Sequence, residues 1–247
     1  DMGARVIKIE GRGGDAWRNT SASNTQTEWD ENPLFDLFNI GKRSFSLNLK
    51  TEEGKAIFFK LLEKADILIT NTRQNALIKL GVDYDSLKER YPRLIYATLT
   101  GYGYNGPDCN APGFDNIAFW SRPGFSADMT IDGPESYPVN SRYGMGDTIA
   151  GTTLFGAVMA ALYTRERTGQ GEFVTTSLFN AGIWAFGGGI VMAEKPYEHR
   201  FPEIRNMGIP MNLVYRCADG EWIRCTIFEF ERYAYKFFDT LDVRQKM

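Results

Sequence analysis

One aspartate in this sequence stands where a carboxylate can act as a nucleophile. Asp147 follows Gly146 and precedes Gly151, at the start of a long apolar segment. An aspartate with a reference pKa of about 3.9 is ionised at neutral pH, so it needs no neighbouring base. Backbone amides at a helix N-terminus would hold its charge, and the glycines would leave room for a substrate. The alternative is an N-cap, because aspartate is a favoured one; both interpretations can hold together.

The scarcity of histidine points the same way. His199 is the only histidine in the chain. Serine and cysteine nucleophiles usually depend on an adjacent base, most often histidine. A chain with one histidine therefore favours carboxylate chemistry over a Ser–His or Cys–His arrangement, although that single histidine could still serve.

The composition indicates an ordinary globular protein. The 247 residues are 43% hydrophobic and 24% charged, and the net charge of −3 speaks against a nucleic-acid partner. The longest apolar run, residues 154–162, is shorter than the roughly 20 residues needed to cross a membrane. We therefore expect no membrane partner. The cysteines are widely spaced, odd in number and without CxxC spacing, and are expected to be reduced, as in a cytoplasmic protein: Cys109, Cys217 and Cys225.

The segment after Asp147 is predicted to be a helix of roughly 20 residues with one apolar face. Arg165 and Arg167 fall in its last turn, where cations suit the helix dipole, and Gly169 is placed to end it. This helix would hold Asp147 at its positive end. The apolar residues recur at three- and four-residue spacing: Ile149, Leu154, Phe155, Val158, Met159 and Leu162.

Upstream of this helix, short apolar runs alternate with helical segments, which is typical of a parallel α/β sheet. Residues 15–40 are expected to be a loop, and Thr51 is expected to cap a helix. We predict a doubly wound, Rossmann-like parallel sheet, with the ligand site beyond the carboxyl ends of its strands, at residues 11–15, 71–73 and 101–106. The predicted elements are strands over 5–10, 43–49, 65–70 (buried) and 94–99, and helices over 51–64, 76–80 and 84–90.

The rest of the chain indicates a second domain. A strand is predicted from residue 173, leading into an apolar, glycine-rich stretch that ends near residue 192. Residues 194–202 are polar and typical of a linker. Asp219 and Gly220 indicate a hairpin turn, and residues 230–241 a helix. We expect one large domain over residues 1–199 and the start of a smaller α+β domain over residues 200–247.

Two dinucleotide-binding features are interpreted as coincidental. Residues 101–106 match GxGxxG after a strand, but that motif must open a helix, and residues 107–113 indicate a loop. Glu10 closes a strand, as a ribose-binding carboxylate does, but no glycine fingerprint precedes it. We therefore interpret Glu10 as a plain strand end and do not expect NAD.

Taken in order, several motifs resemble the family III CoA-transferases, the CaiB/BaiF family. The resemblance implies transfer of CoA between carboxylic acids, no tightly bound cofactor, and an interlocked homodimer. Residues 65–68 and 112–115 are most similar to members that act on 2-hydroxy acids and aryl acids, while carnitine, bile acids, oxalate and formate remain open. The motifs are GARVIKIE at 3–10, GKRS at 41–44, LNLK at 47–50, ADI at 65–67, LG at 80–81, PRLIY at 92–96, GYG at 101–103, GP at 106–107, GD at 146–147 with Gly151, and Arg165 with TGQG at 168–171.

The resemblance also assigns residues. Asp147 corresponds to the family's catalytic aspartate. Lys79 stands where formyl-CoA transferase has arginine, which keeps the charge but loses bidentate contact with phosphate. Pro112 and Phe114 replace a lysine and a tyrosine of that relative, which puts the contacts there in doubt. The residues implied to contact CoA are Arg12, Leu47, Asn48, Leu49, Lys50, Asn71, Thr72, Arg73, Lys79, Pro112, Gly113, Phe114 and Asp115. From the residues alone, each of the cations is equally a solvated surface charge.

The implied mechanism is covalent. Asp147 attacks the thioester of an acyl-CoA to form a mixed anhydride, and the thiolate returns to form an aspartyl-CoA thioester that the acceptor acid attacks. Neither ATP nor a metal is needed. Phe114, Phe119 and Trp120 could wall the acyl pocket, with core packing as the alternative.

Two other functions remain open: a CoA-binding module without catalysis, and a racemase such as the α-methylacyl-CoA racemases, which needs a His/Asp pair.

The resemblance further implies a strand and a helix before residue 1 and a continuation beyond residue 247. We therefore expect residues 1–247 alone to be poorly soluble and inactive.

Overall fold

A computed structural model describes residues 3–18, 32–130, 137–142, 144–194, 213–227 and 229–240. The chain is mixed α/β. Its first half contains β1 (Ile7–Glu10), α1 (Pro33–Asn39), β2 (Arg43–Ser46), α2 (Glu52–Leu62), β3 (Ile67–Thr70), α3 (Gln74–Leu80), α4 (Tyr84–Leu87) and β4 (Ile95–Thr100). The second half contains a π-helical turn (Asp115–Ser121), α5 (Phe125–Asp128), α6 (Met145–Thr168), β5 (Phe173–Ser177), α7 (Leu178–Ala185), α8 (Gly187–Ala193), β6 (Val214–Arg216), β7 (Trp222–Arg224) and α9 (Phe230–Thr240).

The chain divides into two compact units. The first unit contains residues 1–111 and 151–177, and the second contains residues 112–150 and 178–247. The domain boundary expected at residues 199 and 200 falls outside the described residues and stays a prediction, as does the linker from residue 195 onward.

All five described strands of the first unit pair in parallel. β1 pairs with β2, with Ile7 opposite Arg43. The other sheet has the order β3-β4-β5, so β4 is central, with Tyr96 opposite Phe173 of β5. Parallel strands and intervening helices confirm the mixed α/β prediction. The described strands form two sheets, and a single doubly wound sheet stays a prediction.

Local signals in the sequence explain several helix boundaries. Thr51 caps α2 as expected, because its Oγ1 accepts a hydrogen bond from the amide of Gly54 at 3.1 Å. α3 ends at Gly81, whose φ of +70° is in the left-handed region that glycine favours. The turn at Asp219 and Gly220 joins two antiparallel strands, β6 and β7, which confirms the hairpin.

The loop expected over residues 15–40 contains a helix, so that prediction was wrong. α1 starts with Pro33 in its first turn, and the Asn32 side chain accepts a hydrogen bond from the amide of Phe35 at 2.9 Å. With seven residues, α1 is too short to show helical periodicity. Its single buried side chain, Phe35, lies under the cations of Lys8 and Arg18.

β3 is less buried than its apolar sequence predicted. Ile69 has 62% of its surface exposed. The physical reason is position, because among the described residues β3 pairs with β4 alone and is an edge strand. The buried core lies instead around β4, where Ile95 and Ala97 are fully buried and the Tyr96 hydroxyl donates to the Val82 carbonyl at 2.8 Å.

α6 is longer than predicted, and its buried face differs in part. Leu154 and Val158 pack in a cluster with Ala97 of β4. Phe155 and Met159 were assigned to the same face, but they are 43% and 40% exposed. The buried face instead continues through small residues, which spacing of large apolar residues does not detect.

The last turn of α6 is held by Arg165. This buried guanidinium donates Nη1 to the carbonyls of Asp66 at 3.2 Å and Arg93 at 3.3 Å, and Nη2 to the Asp66 carboxylate at 3.1 Å. Gly169 then ends the helix with a φ of +75°, as expected. Arg165, one of the residues that carry the family resemblance, therefore has a structural role, because it holds α6 to the starts of β3 and β4.

Within the part of the chain that the structure describes, α6 is also the one helix whose length and composition would let it cross a membrane. The core helix of a soluble protein passes the same test, so this is weak evidence. The expectation of no membrane partner stays a prediction.

Candidate active site

Asp147 lies in the first turn of α6, two residues after its start at Met145. The residue before the helix is Gly144, whose carbonyl accepts the first intrahelical bond from the amide of Thr148 at 2.9 Å. The N-cap interpretation of Asp147 is therefore wrong, because Gly144 holds that position. Asp147 is exposed, so its carboxylate is accessible from solvent.

The cap is supplied by a distant residue, Asp115. Its Oδ1 accepts a hydrogen bond from the backbone amide of Asp147 at 3.1 Å, and the amide of Gly146 also donates to this carboxylate. Asp115 is the first residue of the π-helical turn and is half-buried. The resemblance placed it among the CoA contacts, and the structure places its carboxylate on the helix that carries Asp147.

Gly146 is required for this approach. A Cβ at this position would lie 2.1 Å from the Asp115 Oδ1 and 2.3 Å from the Phe119 Cγ. Both distances are far below van der Waals contact, so a larger residue would push the π-helical turn off the helix. The sequence suggested that glycine leaves room for substrate; the structure shows that Gly146 makes room for the protein's own side chains.

Both carboxylates are less acidic than usual. The protein around Asp147 displaces water and raises the pKa of its carboxyl above the ordinary value of 3.8. Burial raises the pKa of Asp115 as well, and the charge of Asp147 adds to it, while the amides of Asp147 and Gly146 act against the shift. A carboxylate that has lost part of its hydration is a stronger nucleophile.

An aromatic cluster supports the π-helical turn from inside. Phe119 and Trp120 are 1% and 4% exposed, and the Phe119 ring stacks on Phe125 with centroids 5.4 Å apart. Of the two alternatives for these residues, core packing is correct. The buried Trp120 Nε1 lies near the Asp115 carboxylate and acts to lower its pKa, although it makes no hydrogen bond of normal geometry. Phe114 is 68% exposed. Its assignment to the wall of an acyl pocket stays a prediction.

The other residues implied to contact CoA are divided between the units. Pro112 and Gly113 lie with Phe114 and Asp115 in the second unit, directly before the π-helical turn. The remaining ones lie in the first unit: Arg12, Leu47, Asn48, Leu49, Lys50, Asn71, Thr72, Arg73 and Lys79. Asp147 and Asp115 are predicted site residues from separate segments that the structure brings into contact.

Within the first unit, the predicted residues occupy four places. Asn71, Thr72 and Arg73 are exposed between β3 and α3, and Lys79 is exposed in the last turn of α3. Arg12 is exposed after β1. In the segment 47–50, Leu47 is buried, Leu49 is half-buried, and the Asn48 Oδ1 accepts from the amide of Lys50 at 3.1 Å. Their contact with CoA stays a prediction.

The glycine motif at residues 101–106 forms no helix. Gly103 has a φ of +103°, and its amide donates to the Thr100 Oγ1 at 2.9 Å in a turn directly after β4. The interpretation of this motif as coincidental is confirmed as far as its structure goes.

Sequence reasoning missed a carboxylate network around Glu10, which was interpreted as a plain strand end. Glu10 is buried and accepts two hydrogen bonds from Arg18, both at 2.8 Å, and one from the Ser44 hydroxyl at 2.7 Å. These donors lower its pKa to about 2, Arg18 contributing most. A cleft of about 640 Å³ opens beside it, lined in part by Lys8 and Lys42. Arg18 and Ser44 lie 8 and 34 residues from Glu10 in the chain, so no local pattern in the sequence indicates this network.

Comparison with known proteins places the chain in a family. The sequence profile described as CoA-transferase family III matches residues 1–243. The chain is 40% identical over 239 residues to (R)-2-hydroxy-4-methylpentanoate CoA-transferase of Clostridioides difficile, covering 96% of this chain and 59% of that protein. It is 39% identical over 244 residues to cinnamoyl-CoA:phenyllactate CoA-transferase of Clostridium sporogenes, covering 98% of this chain and 59% of that protein.

Solved structures also match this chain. A hypothetical protein from Mycobacterium tuberculosis superposes with a TM-score of 0.80 at 29% identity, over 98% of this chain and 62% of that one. A CaiB/BaiF family protein from Brucella suis gives 0.66 at 30% identity, over 78% and 50%. The chain thus spans 59% of the length of the two transferases. With a match over nearly all its residues, this chain belongs to CoA-transferase family III.

Proposed function

We propose that this chain transfers CoA from an acyl-CoA thioester to a carboxylic acid, with Asp147 as the covalent nucleophile. The observation that carries the proposal is the state of Asp147: an exposed, partly desolvated carboxylate in the first turn of α6, whose capping role is taken by Asp115. Membership of the family supplies the reaction class.

The reaction begins when an Asp147 oxygen attacks the thioester carbonyl carbon. The C–S bond breaks, the CoA thiolate leaves, and a mixed anhydride joins the acyl group to Asp147. The thiolate then attacks the aspartyl carbonyl, which releases the donor acid and leaves an aspartyl-CoA thioester. Because each step exchanges one activated acyl group for another, no external energy source is required.

The second half repeats these steps in reverse order. The acceptor carboxylate attacks the aspartyl-CoA thioester, giving a new anhydride and free thiolate. The thiolate attacks the acceptor's carbonyl, which forms the new acyl-CoA and regenerates the Asp147 carboxylate. Water must be kept from both anhydrides, since hydrolysis would release the acid without transfer.

The names of the relatives support a proposal for the substrate class. The two transferases that are 40% and 39% identical are named for 2-hydroxy-4-methylpentanoate and for cinnamoyl-CoA with phenyllactate. We assign 2-hydroxy acids and aryl acids to this chain on that basis. Phe114, exposed directly before Asp115, is the side chain we assign to the wall of the acyl pocket.

CoA itself needs cations for its phosphates. Arg12, Lys50, Arg73 and Lys79 are all exposed. None of these cations pairs with a carboxylate among the described residues, which leaves each available for a charge-assisted contact. We further propose that the protein is a cytoplasmic, interlocked homodimer with no resident cofactor, and that residues 1–199 form its Rossmann-like domain.

An acceptor screen with one acyl-CoA donor, carried out on the full-length protein and read by mass spectrometry, tests the proposal. We expect new acyl-CoA products with 2-hydroxy or aryl acids, and a hydroxamate on Asp147 when hydroxylamine is added with the donor. Turnover by an Asp147→Ala variant would refute the assignment. Exchange of the α-proton into deuterium oxide without an acceptor would indicate a racemase instead.

A further inference from the structure

The carboxylate of Asp115 accepts hydrogen bonds from the helix that carries the proposed nucleophile. Its Oδ1 lies 3.1 Å from the backbone nitrogen of Asp147, and the Gly146 amide donates to the same group. Gly146 presents no side chain, so the carboxylate and the Phe119 ring both approach its backbone closely. Asp115 thus contacts the two residues of the GD motif through their main chain.

This contact performs a capping role that the Asp147 carboxylate could otherwise have had. An acidic residue in the first turn of a helix ordinarily folds back onto free amides at that N-terminus, as in a capping box. Here Asp115 takes amides of that turn, and Asp147 remains exposed. The amides of Gly146 and Asp147 therefore do not depend on the Asp147 carboxylate.

The turn that carries Asp115 is packed against buried aromatic side chains. Asp115 begins a π-helical turn whose next residues include Phe119 and Trp120, both buried in the aromatic cluster with Phe125. The turn therefore holds Asp115 against α6 from a packed interior. Since a reacting group displaced by about 1 Å can lose about 100-fold in rate, a fixed cap of this kind has a kinetic consequence.

We infer that Asp115 is a positioning residue, which caps the first turn of α6 in place of Asp147 and so keeps the Asp147 carboxylate available and oriented for the acyl group. This inference rests on the proposed function. It differs from the assignment by resemblance, in which Asp115 contacts CoA. The two roles separate kinetically, because a CoA contact changes KM and a positioning residue changes kcat.

The test compares Asp115→Ala, Asp115→Asn and the neighbouring Asn116→Ala in the full-length protein. Asn116 is exposed on the same turn and serves as the matched control. We expect Asp115→Ala to lower kcat about 100-fold while KM for the acyl-CoA changes less than about threefold. Asp115→Asn keeps an oxygen that can accept from the Asp147 amide, so it should recover kcat to within about tenfold of the wild type.

The rate of hydroxamate formation on Asp147 in a single turnover gives the second readout. We expect it to fall in parallel with kcat in Asp115→Ala and to be unchanged in Asn116→Ala. A rise in KM in both Asp115 variants, with kcat preserved, would overturn the inference in favour of a CoA contact. An Asn variant no better than Ala would overturn it too, because the hydrogen bond would then not be what matters.

Two further measurements keep the outcomes distinct. If Asp115→Ala does not fold, Gly146→Ala tests the same contact, since its Cβ would lie 2.1 Å from the Asp115 Oδ1; unchanged kcat in that variant would overturn the inference. If the wild type forms no hydroxamate on Asp147, the proposed function fails. If it does, and Asp115→Ala forms it at the wild-type rate, only the inference about Asp115 fails.

Discussion

Glu10 and Asp147 are both carboxylates at the end of a regular element, yet their surroundings shift their pKa in opposite directions. Glu10, in the first unit, is buried and accepts hydrogen bonds from Arg18, Ser44 and the amide of Asp15, and its pKa falls to about 2. Asp147, in the second unit, is exposed, and desolvation raises its pKa.

The difference lies in the donors. Arg18 delivers two hydrogen bonds to Glu10 in the bidentate geometry that suits carboxylates, so the negative charge is neutralised in place. The described residues offer no such cation to Asp147, and Asp115, which lies beside it, carries a charge of the same sign. A carboxylate whose oxygens accept several hydrogen bonds from protein donors contributes to the stability of the fold. A carboxylate whose oxygens keep free lone pairs can still react with a substrate.

The strongest test of this contrast exchanges each acid for its amide. Asp147→Asn should lower kcat by roughly 10⁴-fold or more, because no carboxylate remains to form the anhydride. Glu10→Gln should leave kcat of the folded protein unchanged. Steady-state kinetics on both variants, with folding checked by circular dichroism, decides the matter. Substantial turnover in Asp147→Asn, or its loss in folded Glu10→Gln, would reverse the assigned roles.

A side chain added in the first turn of α6 should disturb Asp115 and Asp147 and leave Glu10 unaffected. Gly146→Ala forces its Cβ against the Asp115 Oδ1 and the Phe119 ring. We expect kcat to fall about 100-fold from the displaced nucleophile, and the free energy of unfolding to fall by about 1–3 kcal/mol from overpacking. Gly156→Ala, in the same helix where a Cβ meets nothing within 4 Å, is the control and should leave kcat unchanged.

Removing the charge of Glu10 should cost stability in a pH-dependent way. We expect Glu10→Gln to lower the free energy of unfolding by about 1–2 kcal/mol at pH 7, since Arg18 is partly solvated and its contribution is screened. The folded pKa of Glu10 is lowered from 4.5 to about 2, so this stabilisation is present above pH 4.5 and is lost as the pH falls toward 2.

Urea unfolding of wild type and variant across that pH range measures the effect. The difference between the two proteins should shrink steadily below pH 4.5. Glu52→Gln is the control, because its side chain is 88% exposed beside Lys55 and should show almost no difference at any pH. A gap for Glu10→Gln that stays constant down to pH 2 would contradict the low pKa.

The smallest effect concerns the pH profile of turnover. The proposed attack needs the Asp147 carboxylate in its ionised form, and its pKa is raised above 3.8, so we expect activity to fall with decreasing pH earlier than an ordinary aspartate would allow. Asp115→Asn removes a neighbouring negative charge and should move the acidic limb of kcat/KM to lower pH. A shift to higher pH would show that the two carboxylates do not repel one another.

Sequence reasoning succeeded where the signal is local. The cap at Thr51, the end of α6 at Gly169 and the hairpin at Gly220 each depend on residues within a few positions of one another, and the structure confirms them. The position of Asp147 near the start of a long helix belongs to the same class, since apolar periodicity sets the helix.

It failed where partners are far apart in the chain. Asp115 and Asp147 are separated by 32 residues, and Glu10 and Ser44 by 34, so no periodicity reports either contact. The N-cap interpretation of Asp147 was reasonable on propensity, but a carboxylate from another segment took the amide. In the same way, Phe155 and Met159 are apolar residues with suitable spacing, and only the packing of α6 shows that they are exposed.

The strand order β3-β4-β5 has a consequence during synthesis. Thr98 of β4 hydrogen-bonds Thr175 of β5 across a sequence separation of 77 residues. At roughly 5–20 residues per second, one edge of β4 would wait on the order of 4–15 s on the ribosome before its partner is made. Throughout that interval an apolar strand offers unpaired amides and carbonyls to other nascent chains. Arg165 emerges shortly before β5 and reaches the starts of β3 and β4, so α6 can cover the sheet while its last strand is still being translated.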